Sequence, residues 1–323
     1  MRVFLAGAGG AIGRRLIPQL VAQGHDVVAS TRSEAKLGEL EALGARGVVM
    51  DGLDAGSVGD AFAWAEPEAV IHQMTALSAM SDLKHWDDEF ARTNELRTRG
   101  TDNLLAASKA VGVRRFVAQS FGGWPGIRSG GPVKTETDPL DPEPPAAQQK
   151  TLAAIRYVER AVLEAAPIEG LALRYGAFYG PGSSLSTQYP ELVRKRKLPI
   201  VGDGGGVWSF IHLDDAASAT VAALERGAPG VYNIVDDEPA AVREWLPYFA
   251  QCVGARPPRR IPVWLARLAV GEVGVSMMTQ IRGCSNAKAK RELAWRPRYA
   301  SWREGFRETP DTAARSADPG AQH

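Results

Sequence analysis

The residues with the plainest chemical purpose stand within the first thirteen. Gly7-Ala8-Gly9-Gly10-Ala11-Ile12-Gly13 follows the apolar run Val3–Leu5 directly and opens the helical pattern Ile12, Leu16, Leu20, Val21. Glycines at a strand-to-helix junction let the backbone turn sharply and approach a large anion. The helix start adds free N–H groups and the positive end of its dipole. A strand before, a helix after and glycines at positions 7, 10 and 13 together point to the pyrophosphate of a dinucleotide. Gly7, Gly9, Gly10, Ala11, Ile12 and Gly13 are therefore the expected phosphate cradle.

The end of the second apolar run chooses between two dinucleotides. NAD(H) sites place an Asp or Glu there for the ribose 2′-hydroxyl. Here Val27-Val28-Ala29 leads into Ser30-Thr31-Arg32-Ser33, with Lys36 close behind. Arg32 is suited to stack on an adenine and to pair with a 2′-phosphate, helped by Lys36, so NADP(H) is expected over NAD(H). Asp51 suits either the adenine amino group or a cap on the next turn. Gly52, Gln73 and Gln119, each at or just past the end of an apolar run, complete the expected cofactor contacts.

These positions need a framework, and short runs supply it. Val3–Leu5, Asp26–Ala29, Gly47–Met50, Ala69–His72, Arg115–Ala118 and Leu171–Leu173 are brief and rich in Val, Ile and Leu. Such runs suit strands buried on both faces. Helical patterns between them predict an α/β fold, a Rossmann-type doubly wound parallel sheet with a smaller C-terminal substrate lobe. Pro18 predicts a kink in the first helix. Residues 1–178 form the expected dinucleotide-binding domain, with a Gly- and Pro-rich loop insert at 122–145 that excludes regular structure. Residues 179–308 form the smaller lobe, partly interleaved with the first, with helices over Pro190–Lys197, Val242–Val253 and Val263–Val270. Residues 309–323 read as a frayed tail.

The bulk numbers exclude several classes. The 323 residues are 45% hydrophobic and 23% charged, with a net charge of +1. No global field draws such a chain to nucleic acid or a membrane surface. No apolar run approaches the ~18 residues needed to span a bilayer, and glycines interrupt the N-terminus too early for a signal peptide. Cys252 and Cys284 stand far apart in no metal-ligand spacing. The expectations are a cytoplasmic protein with a small-molecule substrate and no metal.

Five segments carry a family resemblance that runs from Met1 to about Phe306. They are the glycine loop, Asn94 with Gly100-Thr101 and Asn103-Leu104-Leu105, Arg174 to Pro181, Ser209 to Asp215, and Ser285 to Pro297. In this order they resemble the extended short-chain dehydrogenase/reductase family, the NAD-dependent epimerase/dehydratase group. The resemblance implies an enzyme and a homodimer through two packed helices. It also implies a Tyr-x-x-x-Lys pair on one helix face, the Lys lowering the Tyr pKa and the Tyr moving a proton. That pair is missing. With Glu159 in register, Thr151 stands at the Tyr position and Ile155 at the Lys position. Phe121 likewise occupies the place of the family's catalytic Ser or Thr.

Ser120 and Tyr175 are the remaining candidates for proton handling. Phe121, Trp124, Phe178 and Trp208 suggest apolar walls for the substrate. Trp208 stands where the family's diphosphate-gripping Arg is expected, which argues against a nucleotide sugar. The leading reading is an NADP(H)-dependent oxidoreductase of atypical mechanism on a small or moderately apolar substrate. The alternatives are an epimerase or dehydratase with tightly bound cofactor, and an NADP(H)-binding sensor or scaffold without turnover.

Overall fold

The structure, a computed structural model, describes residues 1–77 and 82–308. Strands β1 (Arg2–Ala6), β2 (Asp26–Thr31), β3 (Arg46–Val49), β4 (Ala69–His72), β5 (Arg115–Phe121), β6 (Glu169–Tyr175) and β7 (Gly230–Ile234) form one sheet. Their order is β7-β6-β5-β4-β1-β2-β3, and every pairing is parallel. The order reverses between β1 and β4, which opens a crevice beyond their carboxyl ends.

Burial on both faces explains the short apolar strands. Val3 and Leu5 of β1 face one layer and Phe4 and Ala6 the other, all at 0% exposure. Helices α1 (Gly13–Ala22) and α5 (Leu213–Glu225) cover the first face. On the second lie α2 (Ala55–Ala65), α3 (Thr101–Val111) and α4 (Gln149–Leu163). A third apolar core holds the C-terminal lobe, around α6 (Val242–Cys252), α7 (Val263–Thr279) and α8 (Trp302–Arg307).

Several local expectations change. The strand Gly230–Ile234 was not expected, because Gly-Val-Tyr-Asn-Ile carries few aliphatic residues. It pairs with β6 from Gly230↔Leu171 to Ile234↔Tyr175. The helix expected over Pro190–Lys197 spans Tyr189–Arg194. The helix expected to end at Val270 runs on to Thr279, bent at Gly271, whose φ of +69° only glycine adopts without strain. Pro18 lies inside α1, which continues past it to Ala22. The 122–145 loop is not wholly irregular, since Val133–Lys134 pairs with Gly283–Cys284 and Gly126 bridges to Leu140. Residues 309–323 lie outside the described residues, among which no helix is long and apolar enough to cross a membrane.

Candidate functional site

The glycine loop sits at the crevice, at the end of β1. Gly7 has φ +87°, and a Cβ there would stand 2.7 Å from the Gln73 backbone. A Cβ on Gly13 would overlap the Ala8 carbonyl oxygen, so this glycine lets α1 close against the loop. Gly9 and Gly10 differ. Among the described residues, a Cβ on Gly9 meets no atom within 4 Å, and one on Gly10 makes only an ordinary 3.4 Å contact with the Gly7 oxygen. The protein itself does not require glycine at these two positions. An open cradle at the start of α1 fits a pyrophosphate.

Arg32 and Lys36 lie just past β2, both exposed, and Arg32 follows Thr31, whose hydroxyl accepts from the Ser33 N–H at 3.2 Å. Asp51 caps its own turn, accepting from the Leu53 N–H at 3.0 Å. Its carboxylate is still about half exposed, with Arg92 at 4.0 Å. Gly52 packs on Met74, and a Cβ there would strike its sulfur. Gln73 is 5% exposed and Gln119 is half-buried at the end of β5.

Helix α4 carries Thr151 and Ile155, the positions at which the resemblance leads one to expect the Tyr and Lys. Thr151 and Ile155 are both 0% exposed. The Thr151 hydroxyl donates to Asp87 at 2.6 Å and accepts from the Asn94 amide at 3.1 Å. Asp87 also accepts the Lys150 and Thr151 backbone N–H groups at 2.9 and 2.8 Å, and so caps the helix. One turn beyond Ile155, Glu159 makes a two-pronged ion pair with Arg174, both bonds 2.7 Å, and accepts the Ser120 hydroxyl at 2.6 Å.

The two candidates for proton handling are not brought together. Phe121 is the register partner of Tyr175 and Ser120 of Arg174, so Ser120 and Tyr175 are offset by one residue and point to opposite sheet faces. Ser120 is committed to Glu159 on the α4 side. The Tyr175 hydroxyl meets Gln73 at 2.9 Å and Thr220 at 2.6 Å on the α5 side. Burial pushes its pKa up to about 12.

The expected aromatic wall also divides. Phe121 packs on Trp124 at 6.0 Å between ring centroids, and Trp124 meets Trp86 edge-on at 5.3 Å, with Phe90 stacked on Trp86 at 4.8 Å. Phe178 instead packs on Tyr175. Trp208 turns into the lobe core against Phe210 and Trp245, its indole N–H donating to the Met277 oxygen at 2.9 Å. Trp86, Asp87 and Phe90 escaped the sequence reading. The i, i+4 spacing of Trp86 and Phe90 was the available signal.

Comparison with known proteins agrees with this geometry. The chain is 41% identical over 309 residues to the 3-diazoavenalumate denitrifying reductase of a Streptomyces species, covering 95% of this chain and 99% of the relative. It is 31% identical to the 2-alkyl-3-oxoalkanoate reductase of Stenotrophomonas maltophilia, covering 79% and 76%. Among solved structures, the Thermus thermophilus UDP-glucose 4-epimerase in complex with NAD superposes with a TM-score of 0.73 at 26% identity, covering 96% and 97%. The Thermotoga maritima UDP-glucose 4-epimerase, solved with UDP-glucose, superposes with a TM-score of 0.77 at 22% identity, covering 98% and 100%. Reductases and epimerases share this NAD(P)-dependent fold. The model of the NAD dependent epimerase/dehydratase family matches residues 3–235, and the chain belongs to that family.

Proposed function

We propose that the protein is an NADP(H)-dependent reductase that passes hydride to an electron-poor group on a small, largely apolar substrate, without a Tyr/Lys proton donor. The observation that carries this reading is the buried pair Thr151 and Ile155 on the face where that donor would stand. Bound nicotinamide supplies the hydride. The glycine cradle holds its pyrophosphate, and Arg32 with Lys36 receives the 2′-phosphate.

A substrate reduced at such a site must not need a proton placed on a developing oxyanion. The diazo group in the name of the 41% identical relative meets that condition. Hydride adds to the terminal nitrogen of R–N2+ to give R–N=N–H. The C–N bond then breaks, the hydrogen moves to carbon, and R–H and N2 result. No external acid enters this balance. The Phe121, Trp124, Trp86 and Phe90 cluster gives the neighbourhood an apolar, electron-rich character that suits a cationic acceptor. Ser120 and Tyr175 act as packing and positioning residues.

The test is NADPH oxidation with an aryl diazonium salt and with ketone and enoyl panels, corrected for the reaction without protein. NADPH consumption with N2 release from the diazonium alone supports the reading. Turnover of ketones alone defeats it, and binding without any turnover favours the sensor. Arg32→Ala is expected to weaken NADPH binding by about 10–100-fold in calorimetry and to leave NADH unaffected. Equal losses for both cofactors would remove Arg32 from the 2′-phosphate.

A further inference from the structure

A helical segment leads into α3. Residues Ala91–Glu95 are α-helical, Leu96–Gly100 form a π-helical turn, and α3 follows at Thr101. Such widened turns redirect side chains and recur at functional sites. Arg97 lies in this one. It is 2% exposed, and neither Nη1 nor Nη2 has a hydrogen-bond partner among the described residues. Its guanidinium lies 5.8 Å from the Phe90 ring centroid. Burial pulls its pKa down to about 10, which still leaves it a cation at neutral pH. A buried charge without a partner is costly to the fold, so what lies beside it matters.

Two bonds fix the level of Arg97 against α4. Asn94 donates to Thr151 at 3.1 Å, and Tyr157 donates to Asp102 at 2.7 Å. Residue numbers rise together across these contacts, so the two helices run the same way. Arg97, between Asn94 and Asp102, therefore lies alongside the stretch of α4 from Thr151 to Tyr157, which includes Ile155. Ile155 is the position of the missing lysine. Arg97 also bears on His72 at the carboxyl end of β4, whose pKa burial, reinforced by the Arg97 charge, holds down to about 4. In a doubly wound fold the adenosine half of the cofactor lies toward the β2 and β3 ends, here Arg32 and Asp51. The nicotinamide half crosses the β4 and β5 ends. Arg97 lies beside His72 at that end of the sheet.

We propose that Arg97 is the cation of the nicotinamide half-site, supplied from the neighbouring helix where Ile155 replaces lysine, and that its charge makes the protein prefer reduced cofactor. Oxidised nicotinamide carries a positive charge on its ring and the reduced ring carries none. A fixed cation close to a bound nicotinamide in a poorly screened setting would therefore disfavour the oxidised form. This rests on the NADP(H) reading above and adds a direction to it, because a site that holds NADPH more tightly than NADP+ is built to reduce.

Calorimetric titration of wild type, Arg97→Met and Arg97→Lys with NADPH, NADP+ and adenosine 2′,5′-bisphosphate tests it. The bisphosphate reaches only the adenosine half, and so reports folding and the Arg32 side independently. Wild type is expected to favour NADPH. Arg97→Met should cut that preference by about tenfold, Arg97→Lys should keep most of it, and bisphosphate affinity should not move. If Arg97→Met fails to bind the bisphosphate, Arg97→Gln carries the same comparison. An unchanged NADPH preference in a neutral variant that still binds the bisphosphate overturns the role of Arg97. Wild type that binds none of the three ligands overturns the cofactor reading itself.

Discussion

Gly10→Ala is expected to cost at least about 100-fold in NADPH affinity while leaving the unfolding midpoint at its wild-type value. The added methyl meets only the Gly7 oxygen, at an ordinary 3.4 Å, so the fold tolerates it. On the proposed cofactor reading it instead occupies the space through which the backbone would approach a pyrophosphate. Gly13→Ala should behave differently. Its methyl overlaps the Ala8 carbonyl, so α1 must move away from the loop, and both stability and binding should fall. Calorimetry and urea unfolding of the two variants separate these effects. A Gly10→Ala protein that binds NADPH normally would remove the glycine turn from the cofactor site.

The second large effect is expected at Glu159. Its carboxylate neutralises Arg174, with side chains only 8% and 11% exposed, and holds the Ser120 hydroxyl. Glu159→Ala leaves an unpaired guanidinium in the interior and should cost roughly 3–5 kcal/mol of stability. Removing both charges with Glu159→Leu and Arg174→Met should restore much of that, because no uncompensated charge remains. Ser120→Ala loses one bond to a charged group and should cost about 1–3 kcal/mol. Urea denaturation measures all three. If Ser120 only braces Glu159, Ser120→Ala leaves the rate of NADPH oxidation unchanged once the protein is folded. A rate loss of several hundred-fold would return Ser120 to the chemistry.

The parallel sheet and its glycine turn were legible in the sequence for a physical reason. The glycine turn and the strand runs are local features, set by φ angles and a period of two or 3.6 residues. The buried face of α4 is local in the same sense, since Thr151, Ile155 and Glu159 repeat at one helical turn. What could not be read depends on pairing between distant segments. The opposite orientations of Ser120 and Tyr175 follow from the β5–β6 register, a relation between residues 54 or 55 apart, which no local pattern encodes. Trp208 looked like a site residue because of its place before Phe210, but its ring is drawn into the lobe by Trp245 and the Met277 carbonyl. Nothing local in Leu96-Arg97-Thr98-Arg99 marks Arg97 as buried, and only the π turn and its packing show it so.

The strand β7 has a consequence for how the chain assembles. It lies at the sheet edge beside β6, yet 54 residues separate the end of one from the start of the other, since Tyr175 closes β6 and Gly230 opens β7. Much of the intervening chain belongs to the other lobe. The last rung of the sheet therefore cannot form until part of the second lobe has been synthesised and folded back, and closing so long a loop delays non-local pairing. During synthesis the edge of β6 waits uncovered, with its backbone groups open to a wrong partner. Two lobes that look separable are thus a single kinetic unit, and a chain cut near residue 178 would be left with an unfinished, adhesive sheet.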